Sequence, residues 1–395
     1  MAGPLPRVPG FIPMRQPIDV AAAVEFLRRE GIADYGPPED VDVLQANNGM
    51  SNPTYLLRSK TGREARPLVI RKKPPGKLLP GAHQIEREYR VMSALAKTGK
   101  VPVPAMHVLC NDDAILGRGF YVMDFVRGRV IDTDGLGEMS PAGRFAIFDR
   151  LNQILATMHC LDVDAIGLAD HGKRGNYATR QLRTWGKQVG RGEPVIRAGV
   201  GADPAAGRVL EASSRMAALV ARLEAMVGGV SDETVLVHGD FRLGNVILHP
   251  AEPAVEAVID WEISTLGHPL PDLAYLMMPW YIPGGFARNL HAALTQAVAE
   301  PPPEGIPSEA EYLATYCARA GRAVVRPEEW AFWKALTLFR IAAINHGVYA
   351  RALAGNAGSS KARLAGETVR PFIELAHRML DSVAGPVGGE GVAKL

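Results

Sequence analysis

Two carboxylates and a carboxamide stand at a spacing suited to chemistry on a phosphate. In "VLVHGDFRLGNVILHPAEPAVEAVID" (235–260), Asn245 follows Asp240 with four residues between, and Asp260 ends the next apolar run. The polar residues interrupt two β-branched stretches, which places them on loops at strand ends. A carboxylate, a side-chain carbonyl and a second carboxylate form a hard oxygen set suited to Mg²⁺, an ion that keeps waters and takes further ligands from substrate phosphates. Turn hydrogen bonding accounts for any one Asp or Asn. The joint pattern H-G-D-x-x-x-x-N with a later Asp points instead to phosphoryl transfer, which needs mainly positioning and charge neutralisation. Asp240 then faces an attacking hydroxyl. Glu262 is open between a second-metal role and a solvated surface, Asp272 reads as a helix cap, and His249 and His268 read as loop residues.

These residues need elements to hold them. "PIDVAAAVEFLRREG" predicts a helix with Asp19 as N-cap and Gly31 as stop, and "AHQIEREYRVMSALAKTG" predicts a second that ends at Gly99. Between them, "VDVLQANNGMSNPTYLLRSKTGREARPLVIRKK" reads as two β runs joined through Thr61-Gly62, with a glycine- and asparagine-rich turn before "TYLL", and "GFYVMDFVRG" as a further strand. From about residue 139 long helical periods take over, beginning with Ser140 as cap and Pro141 at the first helical position. The expected fold class is α+β in two lobes: a small antiparallel-sheet lobe over 1–126 and a mainly helical lobe over 127–395.

Composition narrows the class further. The 395 residues are 47% hydrophobic and 22% charged, with a net charge of +2, the balance of a globular chain without the basic surplus of a nucleic-acid binder. Neither a nucleic acid nor a membrane is expected as a partner. Prolines in "MAGPLPRVPGFIPM" interrupt what a secretory signal would need, so a cytoplasmic location is expected. Cys110, Cys160 and Cys317 fit neither a disulfide framework nor a zinc site.

"VHGDFRLGNVIL" followed by "AVIDWEISTLGHPLPDLAYLM" resembles the aminoglycoside phosphotransferase and choline kinase family, over roughly residues 40 to 380. The resemblance implies a protein-kinase-like fold, Asp240 as catalytic base, and Asn245 and Asp260 as holders of Mg²⁺ bound to ATP, with GTP left open as the donor. It also implies that His238 braces the loop. Arg242 has no assigned role.

A kinase-like first lobe requires backbone amides over the phosphates, a strand cation, and an acid on the next helix. "NNGMSNPTYLL" resembles the phosphate loop, with Gly49 and Ser51 or Asn52 as the contacts. In "PLVIRKKPPGK" the expected cation is Arg71, with Lys73 on the same strand face and Lys72 on the other as alternatives, and its expected acid partner is Glu88, with Glu86 as the alternative. The adenine is expected against backbone groups of Asp124, Phe125 and Val126, behind Met123.

The acceptor is read from charge. "GKRGNYATRQLRTWGKQVGRGEPVIR" (172–197) carries seven Lys or Arg against one Glu, with Tyr177 and Trp185 interleaved, a composition for an anionic small molecule or a solvated helix face. "GMSNPTYLL", "RKKPPGKLLPGAH", "NYATRQLRTW" and "FRIAAINHGVYAR" look like the phosphotransferase domain joined elsewhere to an acyl-CoA dehydrogenase. That resemblance implies a hydroxy acid or hydroxyacyl-CoA as acceptor and a functional association with such a dehydrogenase. The alternatives are an aminoglycoside acceptor, or a nucleotide-binding pseudokinase without turnover.

Overall fold

A computed structural model describes residues 7–47, 52–62, 65–74, 84–131, 133–283, 302–355 and 360–384. In chain order the described elements begin with β1 (Phe11–Pro13), α1 (Val20–Arg29), β2 (Val41–Ala46), β3 (Thr54–Ser59), β4 (Leu68–Lys72), α2 (Ile85–Thr98), β5 (Met106–Cys110), α3 (Asp113–Leu116) and β6 (Phe120–Asp124). They continue with α4 (Pro141–His159), α5 (Tyr177–Ala198), α6 (Ala206–Met226), β7 (Val235–Val237), β8 (Val246–Leu248), β9 (Val255–Val258) and β10 (Thr265–Gly267). Last come α7 (Leu270–Leu276), α8 (Met278–Tyr281), α9 (Glu309–Arg319), α10 (Pro327–Leu353) and α11 (Ala365–Asp381). The chain divides into two compact units. One is Met1–Asp132, Asp149–His171 and Leu243–Ser264; the other is Thr133–Phe148, Gly172–Arg242 and Thr265–Leu395.

In the first unit, local signals set the helix ends. The Asp19 carboxylate accepts the Ala22 amide at 2.9 Å, and α2 stops where Gly99 turns left-handed at φ 62°. Six strands form one antiparallel sheet in the order β1-β2-β3-β4-β6-β5. The stretch from 41 to 72 makes three strands rather than two runs, because the chain reverses between β2 and β3 as well as between β3 and β4. Alternation gives the sheet two faces. Tyr55, Leu57, Leu68, Ile70, Phe120 and Val122 share a core with α1, where Phe26 meets Phe120 edge-on at 5.1 Å. Arg71 and Tyr121, paired across β4 and β6, belong to the opposite alternation set, and Tyr89 of α2 lies 6.0 Å from the Tyr121 ring.

The same unit carries the β8–β9 hairpin, whose ladder starts at Val246↔Val258. Arg129 and Leu248 exchange backbone hydrogen bonds at 2.8 Å, and the Val258 amide donates to Pro102 O, also at 2.8 Å. Gly128 permits this approach. A Cβ there would lie 2.3 Å from both Ile247 Cγ2 and Leu248 O.

In the second unit α10 is flanked by α5, α6 and α11. Its 27 residues bury Trp330, Phe332, Trp333, Leu336, Phe339 and Tyr349, an apolar surface wider than one stripe, as a helix surrounded by helices requires. β7 and β10 form a short antiparallel pair. His346 of α10 is buried and donates from Nε2 to Ser213 Oγ at 3.1 Å, while Ser213 donates onward to Val209 O. Burial pushes the His346 imidazole down to about 4. Among the described residues, no helix is long and apolar enough to cross a membrane.

Two outcomes follow. Gly128→Ala should destabilise the fold by about 1–3 kcal/mol, read from the denaturant midpoint, because the clash involves backbone. The depressed His346 pKa means that below its ordinary value near 6.5 the unfolded chain takes a proton the folded chain refuses. Stability should therefore fall as pH drops from about 6.5 toward 4, and His346→Gln should flatten that slope in thermal denaturation.

Candidate active site

Arg71 sits near the end of β4, facing away from the α1 core. Its Nε lies 2.9 Å from Glu88 Oε2 in a close ion pair, while an Nη donates to Asp260 Oδ1 at 2.9 Å and lies 3.9 Å from Glu262 Oε2. Glu88 is only 1% exposed. The Tyr121 phenol hydrogen-bonds the Glu88 carboxylate, and Asn52 Nδ2 donates to Glu262 Oε2 at 3.3 Å. Burial pulls the Arg71 pKa down, but Glu88 first, then Tyr121, Asp260 and Glu262, raise it further, so the guanidinium stays charged. Burial raises the Glu88 carboxyl, and Arg71 opposes it. Lys73 makes the neighbouring pair with Glu86. The structure thus brings together Arg71 with Glu88 and, separately, Lys73 with Glu86.

Three carboxylates gathered around one guanidinium leave an excess of negative charge that a divalent cation would balance. Asn52 Oδ1 is also buried without a hydrogen-bond partner. Among the described residues no group of three His, Cys, Asp or Glu forms a ready-made metal cage. An oxygen set of this kind fits Mg²⁺, which takes one or two carboxylates and completes its shell with water and phosphate.

The hairpin explains how Asn245 and Asp260 come to one end of a ladder. The register places them just beyond Val246↔Val258, and the Ile259 amide donates to Asn245 O at 2.9 Å. Asp260 adopts a left-handed backbone, φ 67°, a conformation Asp tolerates better than bulkier residues. Behind it, the fully buried Trp261 donates from Nε1 to Val258 O at 3.0 Å, and Ser264 Oγ donates to Trp261 O at 2.7 Å. That clamp fixes the turn that aims Asp260.

At the expected adenine stretch, two of the three amides are already spent. Asp124 N–H donates to Ala105 O at 2.9 Å and Phe125 N–H to Pro67 O at 3.1 Å, which leaves Val126 as the donor of the three not engaged by the sheet. The Asp124 carboxylate meets His107 Nε2 at 2.7 Å and Arg66 at 3.5 Å. Gly49 and Ser51 lie outside the described residues.

In the second unit, the loop carrying Asp240 is held from α7. The Asp272 carboxylate, 2% exposed, accepts the His238 amide at 2.6 Å and the Gly239 amide at 2.8 Å. Asp272 is therefore not the expected helix cap, a position held by Pro269: it sits in the first turn of α7 and binds the loop backbone. His238 Nδ1 accepts the Asp240 amide at 3.1 Å, and Gly239 has φ 85°, which favours glycine. The Tyr275 phenol hydrogen-bonds Asp240, and Arg242 Nε lies 3.6 Å from its Oδ2. Burial and the nearby Asp240 charge raise the Tyr275 pKa, so the phenol keeps the proton it donates. Of the remaining histidines, His268 stacks on Trp333 at 4.2 Å, and His249 Nδ1 accepts the amides of its own turn.

The roles of Asp272 and Tyr275 are absent from a motif reading. The available signal was their spacing: one turn apart in "PLPDLAYLM", two polar groups share a face of an otherwise apolar helix.

Comparison with known proteins agrees with this geometry. Residues 42–336 match a family described as "Phosphotransferase enzyme family". The chain is 38% identical to mouse acyl-CoA dehydrogenase family member 10 over 93% of its own length, but spans only 32% of that relative. A crystal structure from Ralstonia eutropha, provisionally named an aminoglycoside phosphotransferase, superposes with TM-score 0.72 at 38% identity, covering 93% of this chain and 99% of that one. Spectinomycin phosphotransferase, solved with ADP and spectinomycin, shares the fold at TM-score 0.56 and 15% identity, covering 92% and 99%.

Removing the cation alone should be worse than removing the pair. Arg71→Met strands Glu88 in the interior and should cost about 3–5 kcal/mol, whereas Arg71→Met with Glu88→Leu should be closer to wild type in denaturant unfolding.

Proposed function

The chain belongs to the phosphotransferase enzyme family, and from that premise we propose an ATP- and Mg²⁺-dependent kinase of a small-molecule hydroxyl, with a hydroxy acid or hydroxyacyl-CoA as acceptor. The observation that carries the reading is the Arg71 guanidinium buried among Glu88, Asp260 and Glu262. A charged group fixed in that way is already oriented for phosphate oxygens, and orientation is most of what phosphoryl transfer asks of a protein.

In this reading Arg71 contacts the donor phosphates and Glu88 keeps it aimed. Asn245 and Asp260 hold Mg²⁺, which when bound supplies charge neutralisation to the phosphates. Glu262 belongs to the same oxygen set. Val126 N–H and the carbonyl of Asp124 receive the adenine, and Gly49, Ser51 and Asn52 cover the phosphates. Asp240 orients the acceptor hydroxyl and takes its proton as the bond to phosphorus forms. Tyr275 donates to Asp240 and so holds the carboxylate in one rotamer, while His238 and Asp272 hold the backbone beneath it. The acceptor class is supported by the basic composition of 172–197 and by the name of the mouse relative. A working association with an acyl-CoA dehydrogenase belongs to the same proposal.

Mg²⁺-dependent ATP consumption across hydroxy acids, hydroxyacyl-CoAs and aminoglycosides tests it. Asp240→Asn should lower kcat by about 10²–10⁴-fold. Unchanged turnover in that variant would remove Asp240 from the role of base, and turnover confined to aminoglycosides would replace the acceptor class. Nucleotide binding without turnover on any acceptor would make the chain a pseudokinase.

A further inference from the structure

Arg322, Arg180 and Arg144, in the same unit as Arg340, each hold oxygen partners, although Arg322 Nε and Arg180 Nη1 are also buried without a hydrogen bond and Arg180 lies over the Tyr177 ring. Arg322 grips Glu233, Arg180 donates to Leu266 O at 3.1 Å, and Arg144 donates to the backbone carbonyls of Glu304 and Leu136 at 2.7 and 3.1 Å. Arg340, on α10, has aromatic neighbours instead. Its guanidinium carbon lies 5.4 Å from the centroid of Tyr275 and 5.8 Å from that of Trp185. Its Nε is buried with no hydrogen-bond partner, and among the described residues no carboxylate lies within ion-pair distance.

Ring faces stabilise a cation but do not satisfy its N–H donors. A buried guanidinium nitrogen left in that state has a standing deficit that an oxyanion would remove, and the planar fork suits carboxylate or phosphate in two-point contact. Position then connects this deficit to the reaction. Arg340 lies over the face of the same Tyr275 ring whose hydroxyl reaches Asp240, so cation and carboxylate are about one tyrosine side chain apart. A polycationic acceptor would meet repulsion here.

We propose that Arg340 anchors the acceptor by an anionic group, carboxylate or phosphate, while Asp240 receives the hydroxyl of the same molecule. The inference rests on the kinase reading above and adds a residue that sets the charge class of the acceptor. Trp185 and Tyr275, whose rings lie beside the guanidinium, act as positioning residues for it.

The test uses the full chain and three forms of one acceptor: a hydroxy acid, its uncharged methyl ester and its CoA thioester. Arg340→Gln should reduce the kcat/KM preference for the charged forms over the ester by about 10- to 100-fold, mainly through KM, and Arg340→Lys should keep more of that preference than Gln. A loss confined to the free acid identifies a carboxylate as the anion, and a loss confined to the thioester identifies the CoA phosphates. Equal losses on ester and charged forms, or no change on either, overturn the proposal. Calorimetric titration of the hydroxy acid into Asp240→Asn separates this proposal from the kinase reading, because it needs no turnover. Binding that persists in Asp240→Asn and disappears when Arg340→Gln is added supports the anion anchor even if the wild type transfers no phosphate. Turnover of hydroxy acids indifferent to Arg340 leaves the kinase reading standing and removes the anchor.

Discussion

Glu88 can be buried only because Arg71 is buried beside it. An uncompensated carboxylate in that position would take up a proton or unfold the helix that carries it, since desolvation raises its pKa. The pair therefore couples α2 to β4, and the second hydrogen bond of the same guanidinium couples both to Asp260, 189 residues further along the chain. Three sequence segments thus depend on one side chain. The sheet supplies the rest: antiparallel pairing on both sides fixes β4, and α1 packs against the face opposite Arg71. The kinase-like fold is a means of holding one cation still beside more negative charge than it can neutralise.

The loop of Asp240 uses a different device. There a carboxylate serves backbone rather than a cation: Asp272 accepts two consecutive amides, His238 accepts a third, and Gly239 makes the turn possible. Side chains that bind main chain fix a loop without consuming the functional group the loop displays. The Asp240 carboxylate itself has Tyr275 and Arg242 beside it, side chains that bear on its orientation rather than on the fold of the loop.

Much of this was legible in the sequence, because local chemistry wrote it there. The N-caps at Asp19 and Ser140 and the stop at Gly99 depend on residues within one turn, and each acts where its type and position direct. The H-G-D-x-x-x-x-N spacing was equally visible, since loop and hairpin are contiguous. What escaped was set by distant partners. β1 contains a proline and is readable as a strand only from its pairing with β2, and the glycine- and asparagine-rich turn before "TYLL" proves to be a full reversal that pairs β2 with β3. Asp272 has the type and position of a cap, but its two acceptor oxygens are committed to amides more than thirty residues away, which no local pattern marks. Which backbone groups of 124–126 are open to an adenine is likewise set by distant partners, since the Asp124 and Phe125 amides donate to Ala105 O and Pro67 O.

Asp272 also sets how often the Asp240 loop can come apart. Amide protons of His238 and Gly239 that are bound to a buried carboxylate exchange with solvent only when that contact breaks, which ties the opening of the loop to its separation from the first turn of α7. A segment with the sequence of a mobile turn, rich in glycine and polar groups, thereby acquires the slow clock of the packed helix behind it.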